Sequence, residues 1–171
     1  MPKFKTPSES RTVTTEIVLP NDTNSLGNLA GGRLLHWMDL TSAICAHRHC
    51  KRVVVTASVN NVSFEHPIKL GSIVTIEAQV SRAFSTSMEV HMNVTVEDMV
   101  TGVRTKSNEA IYTFVAVDQN GSPLPVPELR PETEVEQKRY DGALRRKQLS
   151  LILAGKLAPA DATELKALFN S

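Results

Sequence analysis

The sequence is short of the features that mark several large protein classes. Cysteine occurs twice, at Cys45 and Cys50. Two thiols five positions apart are no disulfide framework, and they read most simply as free thiols in a reducing compartment. No charge of one sign dominates: Lys plus Arg number 19 and Asp plus Glu 18. That balance argues against nucleic acid or a membrane surface as partner and leaves any anion-binding surface to be local. No long uncharged apolar run is present, so no membrane-spanning segment is expected. The opening residues Met1-Pro2-Lys3-Phe4-Lys5 have no apolar run behind their charges. A signal peptide is therefore not expected, and a cytoplasmic location is the default. There is no internal repeat, no serine in a Gly-x-Ser-x-Gly elbow and no phosphate-loop lysine motif.

What is present is a sharp change of periodicity. Residues 11–19 are rich in β-branched types and read as a strand, followed by turn chemistry at Pro20-Asn21-Asp22-Thr23-Asn24. Residues 33–48 lack Gly and Pro and carry apolar side chains around most of a helical circumference, so this helix should be wrapped by other structure. From residue 53 the pattern turns to strands: 53–64, then 73–81 with Val74, Ile76, Ala78 and Val80 alternating against polar neighbours, then 88–97 and 104–118. Short connections make neighbouring strands antiparallel, and the alternation gives the sheet one buried face that needs a cover. One apolar helix is available to supply it. The expected class is α+β: a hotdog arrangement, with a curved five-stranded antiparallel sheet around one long central helix. The expected organisation is a flexible tail at 1–10, a domain at 11–127 ending in a proline-rich exit, and a charged helical C-terminal extension at 128–171.

The residues that could carry chemistry cluster where the helix begins. Gly31 and Gly32 let a ligand approach the backbone, and the free N–H groups at a helix start suit a developing oxyanion. The same glycines also fit a plain tight loop. Asp39 stands in the middle of an apolar helix, where an unpaired carboxylate costs several kcal/mol to bury and so has a partner or a task. Gly32 and Asp39 share a helical face but lie roughly 10 Å apart along the axis. A base and an oxyanion donor must both sit about 3 Å from one reacting carbonyl. Two antiparallel helices in a symmetric dimer can meet that requirement where one chain cannot. His36, next to this region, fits either a site or a core role. Cys45, His47, His49 and Cys50 invite a metal or Cys–His reading, but only Cys45 and His49 converge on one helical face, so no metal is expected. The hairpin Arg82–Ser87, with Thr86 and Ser87, suits a phosphate or an amide chain as well as a plain turn. The run Arg145, Arg146 and Lys147 suits phosphate as well as a solvated face.

Taken together, Asp22-Thr23-Asn24, Gly27-Asn28, Gly31-Gly32, Met38-Asp39, Arg48-His49-Cys50, Val59-x-x-Val62-x-Phe64-x-x-Pro67, Tyr112-x-Phe114-Val115-Ala116-Val117-Asp118 and Pro123-x-Pro125-x-Pro127 resemble the hotdog acyl-CoA thioesterases of the cytosolic acyl-CoA hydrolase type. The resemblance spans roughly residues 11–127. It implies hydrolysis of fatty acyl-CoA to free acid and CoA by a homo-oligomer, at least a dimer and in the family a trimer of dimers, without a cofactor. The family's catalytic acid falls on Asp39, and its amide partner, from the opposing subunit, falls on Asn28. Gly31 and Gly32 fall at the oxyanion, and CoA contacts are carried over to Arg82, Thr86, Ser87, Arg145, Arg146 and Lys147. Two other readings share the fold: a hotdog dehydratase or hydratase, which wants a positioned His where Asn28 stands, and a non-catalytic acyl-CoA sensor, which has no need of Asp39.

Overall fold

The computed structural model describes residues 3–60 and 62–170. Its residues divide into two compact units, the first ending at Arg130 and the second beginning at Pro131.

The first unit holds a five-stranded antiparallel sheet in the order β2 (Thr12–Ile17), β4 (Ile73–Ala83), β5 (Ser87–Glu97), β6 (Arg104–Val117) and β3 (Val53–Asn60). The helix α2 (Gly31–Cys50) crosses one face of all five strands. The alternation visible in the sequence is the alternation found. Val74, Ile76, Ala78 and Val80 of β4 face inward, as do Met88, Val90, Met92 and Val94 of β5, and all are buried. They close on Leu34, Met38, Cys45 and Ala46 of α2, also buried. Each valine, leucine, isoleucine or methionine among them contributes roughly 1.5–3 kcal/mol when removed from water. The helix is longer than its periodicity suggests and takes in Gly31, Gly32, His49 and Cys50. It stops at Lys51, whose φ of 55° is left-handed.

Three sequence expectations are corrected. The first ten residues are not a flexible tail. From residue 3 onward the chain is built into the fold: β1 (Phe4–Lys5) pairs in parallel with β7 (Glu128–Leu129), and α1 (Pro7–Ser10) carries a buried Ser10. The Ser10 hydroxyl donates to the Pro7 carbonyl at 2.8 Å and accepts from the Val80 N–H at 3.0 Å, extending the sheet past the end of β2. That pairing also carries the compact unit beyond residue 127 to Arg130. The third strand ends at Asn60 rather than at 64. Asn61 lies outside the described residues, as do Met1, Pro2 and Ser171.

The second unit contains α3 (Glu134–Leu153) and the short α4 (Thr163–Ala167). Thr133 and Glu136 form a capping box at the start of α3, with the Glu136 N–H donating to the threonine hydroxyl at 3.2 Å. Gln148 accepts from the Leu165 N–H at 3.0 Å and ties the two helices together.

Candidate active site

The loop from Pro20 to Ala30 is set by its own polar groups before any ligand is considered. Asp22 is buried, accepts from the Leu19 N–H at 3.0 Å, and pairs with Arg33 Nε at 3.0 Å. This pins the loop to the first turn of α2. Asn24 turns the chain: its side-chain oxygen accepts from the N–H groups of Leu26 (2.9 Å) and Asn28 (3.2 Å). Gly27, at φ 74°, supplies the positive φ that the turn needs. Asn28 then bridges to Lys69, and Leu29 donates to the Ile68 carbonyl at 2.7 Å. The loop is thereby laid against residues 64–68. The space between them is a cleft of about 390 Å³ lined by Asn24, Asn28, Gly31, Leu34, Phe64 and His66, among others.

Helix α2 opens onto this cleft. Its N-cap residue, Ala30, offers no side-chain acceptor to the first-turn N–H groups. The Arg33 N–H turns back to the Ala30 carbonyl at 2.9 Å, so the N–H groups of Gly31 and Gly32 are the ones left to form a positive rim. A Cβ on Gly31 would meet the Phe64 ring at 3.4 Å, while one on Gly32 would meet open space. Gly31 thus admits the aromatic wall of the cleft, and Gly32 leaves the helix end accessible.

Asp39 is not among the residues lining that cleft. It is half-buried rather than fully covered, because its part of α2 lies at the border of an exposed stripe formed by Gly32, His36, Leu40 and Ile44. Its carboxylate is partnered: Oδ1 accepts the Thr56 hydroxyl at 2.7 Å. Thr56 reaches it because β3 carries a bulge between Thr56 and Ser58. Thr56 opposes Phe114 while Val59 opposes Tyr112, both of which face the helix. Tyr112 donates to the Leu35 carbonyl at 3.2 Å. Burial first, and the Asp39 charge second, push its phenol up to about 12. Thr56 escaped the sequence reading altogether, and Asp22 and Tyr112 entered it only as parts of a resemblance, without the Arg33 pairing or the contact with the Leu35 carbonyl. The bulge that aims Thr56 breaks the two-residue period, leaving no signal in the pattern.

The remaining sequence candidates fall elsewhere. Arg82 follows a bulge at Val80, opposes Glu89, and sits 5.6 Å from the Phe84 ring. From Ile73, beside the Asn28–Ile68 loop, to Arg82 is roughly 30 Å along β4. Within one chain, therefore, Arg82, Thr86 and Ser87 are at the far end of the sheet from the cleft. Arg145, Arg146 and Lys147 are half-buried on α3 in the second unit, where Arg146 Nη2 donates to the Arg139 carbonyl at 3.1 Å. His36 is exposed. Cys45 and Cys50 are buried, and burial pushes both thiols up, Cys45 to about 12. They are protonated thiols at neutral pH, which suits packing rather than attack. Among the described residues no three of His, Cys, Asp and Glu gather closely enough to hold a metal ion. No helix among them is long and apolar enough to cross a membrane.

Comparison with known proteins adds a second line. A sequence model of the thioesterase superfamily matches residues 26–103. The chain is 41% identical over 145 residues to the uncharacterized acyl-CoA thioester hydrolase YkhA of Bacillus subtilis, covering 85% of this chain and 84% of that one. The crystal structure of an apo-hexameric acyl-CoA thioesterase matches with a TM-score of 0.85 at 39% identity, over 89% of this chain and 97% of the other. The acyl-CoA hydrolase of Staphylococcus aureus, solved with butyryl coenzyme A, coenzyme A and coenzyme A disulfide, matches at 0.81 and 36% identity, over 90% and 95%. That enzyme has also been solved with single alanine replacements of an asparagine, of an aspartate fifteen positions later, and of a threonine seventeen beyond that.

Proposed function

This chain belongs to the acyl-CoA thioester hydrolases of the hotdog-fold thioesterase superfamily, and from that premise we propose that it hydrolyses fatty acyl-CoA to free acid and CoA at a site assembled from two copies of itself. The observation that carries the shared site is the separation of its halves. The helix start, with its free N–H groups, opens onto the cleft; the carboxylate stands roughly 10 Å further along the same helix, outside it. Around Asp39 the surface is apolar and open: Leu40 is 51% exposed, and β3, an edge strand, leaves Val53 67% exposed. An uncovered apolar edge strand invites pairing with a second copy. Two copies related by a twofold axis, with α2 antiparallel to α2, place Asp39 of one against the cleft of the other, twice over. The assembly is at least a dimer, and a trimer of dimers is consistent with the hexameric relative.

Two amides line the cleft, Asn24 and Asn28. The spacing of the three positions replaced in the Staphylococcus enzyme is matched by Asn24, Asp39 and Thr56 and not by Asn28. Asn24 is therefore the amide that works with Asp39, while Asn28, through its bonds to Asn24 and Lys69, holds the loop that carries it. The thioester carbonyl oxygen points at the first-turn N–H groups of α2 near Gly31 and Gly32, which stabilise the oxyanion as it forms. Asp39, oriented by Thr56, takes a proton from a water held by the asparagine amide. The oxygen attacks the acyl carbon, the tetrahedral intermediate expels CoA thiolate, and the proton returns to the sulfur. Direct attack by Asp39 is the rival step: it expels CoA thiolate and leaves a mixed anhydride, and where water opens that anhydride at the Asp39 carbonyl, oxygen from labelled water remains in the Asp39 carboxylate after one turnover. Arg82, Thr86 and Ser87, at the far end of the sheet from the cleft of their own chain, would serve CoA only from another subunit. The activity is tested by release of free thiol from acyl-CoAs of increasing chain length. Rates at background across the whole panel would overturn the assignment.

A further inference from the structure

One amide side chain stands where the sheet is otherwise apolar. The inward face of the sheet beneath α2 includes Met92 and Val94 of β5 and Ala110, Tyr112 and Phe114 of β6, all buried. Asn108 continues that face one step beyond Ala110. It opposes Val94, whose neighbour on β4 is Ile76, and it is only 8% exposed. Both ends of its amide, Oδ1 and Nδ2, are buried without a hydrogen-bond partner among the described residues. Tyr112, the other polar residue of the row, has its hydroxyl on the Leu35 carbonyl. A buried amide unpaired at both ends destabilises the fold, so such a group calls for a partner from outside it. A structural water answers poorly. It needs two to four polar partners, and the neighbours of Asn108 on the inward face are Val94, Ile76 and Ala110.

The register fixes where Asn108 lies relative to the reacting groups. Phe114 opposes Thr56, which reaches Asp39, and Tyr112 lies under Leu35. Moving to lower numbers on β6 therefore runs toward the N-terminus of α2. Asn108 is four residues, roughly 13 Å, beyond Tyr112. The helix continues only four residues, roughly 6 Å, from Leu35 to Gly31. Asn108 is thus carried roughly 7 Å past the helix start, toward the loops that wall the cleft. On this side the sheet is loosely covered. β3 stops at Asn60, opposite Ile111, so β6 has no strand beside it on that edge from Ala110 back to Arg104. Residues 62–66 follow with no backbone hydrogen bond among the described residues, and Ser63 to His66 are exposed. A segment so weakly held opens readily.

We infer that Asn108 determines substrate specificity: it receives a hydroxyl carried several carbons along the acyl chain, which passes from the cleft between the start of α2 and β6 as residues 62–66 move aside. The inference rests on the hydrolase reading above and names a substrate class within it. An alcohol both donates and accepts, so it can pair with either end of the amide. A carboxylate is excluded there, because a neutral amide among aliphatic side chains does not compensate a buried charge. A plain alkyl chain leaves the amide as unpaired as before. The test compares kcat/KM for octanoyl-CoA, 8-hydroxyoctanoyl-CoA and 3-hydroxyoctanoyl-CoA in the wild-type protein, Asn108→Leu and Asn108→Ala. We expect the wild type to favour the 8-hydroxy substrate over octanoyl-CoA about tenfold or more, since a site built to bond a hydroxyl rejects the analogue lacking it. The 3-hydroxyl lies too near the thioester to reach Asn108 and should bring no gain. Both variants should lose the preference, and Asn108→Leu should raise Tm by removing the unpaired amide. A merely structural asparagine would lower Tm on replacement and leave the ratio of the two substrates unchanged. Equal kcat/KM for 8-hydroxyoctanoyl-CoA and octanoyl-CoA in the wild type, the same preference in either folded variant, or an equal gain from the 3-hydroxyl overturns the inference while the hydrolase reading stands. If no acyl-CoA is hydrolysed, that reading falls, and calorimetric titration of the same three compounds, which needs no turnover, decides the inference separately: tighter binding of the 8-hydroxy compound that depends on Asn108 sustains it, and equal or absent binding sinks it.

Discussion

Mixing two inactive variants tests the geometry of the active site more sharply than either variant alone. Asp39→Asn keeps the shape of the side chain and its contact with the Thr56 hydroxyl, but the amide cannot take a proton from water at neutral pH. Loss of a positioned base is worth about 10²–10⁴-fold in rate. Asn24→Ala removes the amide from the cleft while Asp39 stays intact in the same chain. In a twofold dimer each site takes Asp39 from one copy and the cleft from the other. A mixed dimer then has one site with both defects and one with neither. Random exchange of equal amounts puts about half of all dimers in the mixed form, each with half its sites restored, so activity should recover to about one quarter of wild type. The assay is thiol release after incubation of the mixture, with subunit exchange followed independently by native mass spectrometry of a mass-tagged copy. No recovery despite proven exchange would mean that both residues act within one chain, and the two-copy site would be wrong even if the protein hydrolyses acyl-CoA. The same experiment with Asn28→Ala in place of Asn24→Ala decides between the two amides, because only the true partner of Asp39 should be inactive alone and rescued in the mixture.

Two further predictions concern the fold that carries the site. Ser10→Ala removes the acceptor of the buried Val80 N–H and should destabilise the protein by about 1–3 kcal/mol in urea unfolding, the usual cost of an orphaned buried donor; an unchanged midpoint would restore the view of residues 1–10 as a dispensable tail. His49 is buried, with Nε2 donating to the Pro127 carbonyl at 2.8 Å, and desolvation holds its pKa below the usual 6.5. The unfolded chain therefore takes up the proton first, and the stabilisation present above pH 6.5 is lost as pH falls toward the folded-state value. Thermal unfolding between pH 7.5 and 5 should show a fall in Tm that is smaller in His49→Gln, and parallel curves for the two proteins would refute this.

What could be read from the sequence, and what could not, divides along the range of the interactions involved. The strands β4 and β5 were legible because their inward residues repeat every second position and nothing interrupts the count between Ile73 and Val80 or between Met88 and Val94. The wrapped helix was legible because sixteen residues without Gly or Pro carry few charges. Where a single long-range bond decides the structure, the pattern says nothing. Ser10 looks like any polar residue in a polar tail, yet it is buried because the Val80 N–H beyond the end of β2 has no strand to pair with. The Thr56 contact was invisible for a related reason. A strict alternation would put Thr56 and Ser58 on one face; the bulge puts Thr56 and Val59 there instead.

Asp39 shows the limit most clearly. Reasoning from an apolar helix made it a buried charge in need of a partner, and the partner exists, but the burial is only half present in the single chain. The apolar side chains that suggested full coverage are there, and Leu40 and Ile44 among them stay 51% and 44% exposed in the single chain. An exposed apolar stripe on the helix, a sheet that covers only part of it, and an edge strand bearing exposed valines would all be accounted for by the second copy proposed above. On that reading the cost of leaving Leu40, Ile44 and Val53 in water, at roughly 25 cal/mol per Å² of apolar area, is the same free energy that would bring Asp39 to the neighbouring cleft. Assembly and activity should then fail together, and a polar substitution such as Ile44→Glu, distant from the reacting atoms, should abolish both.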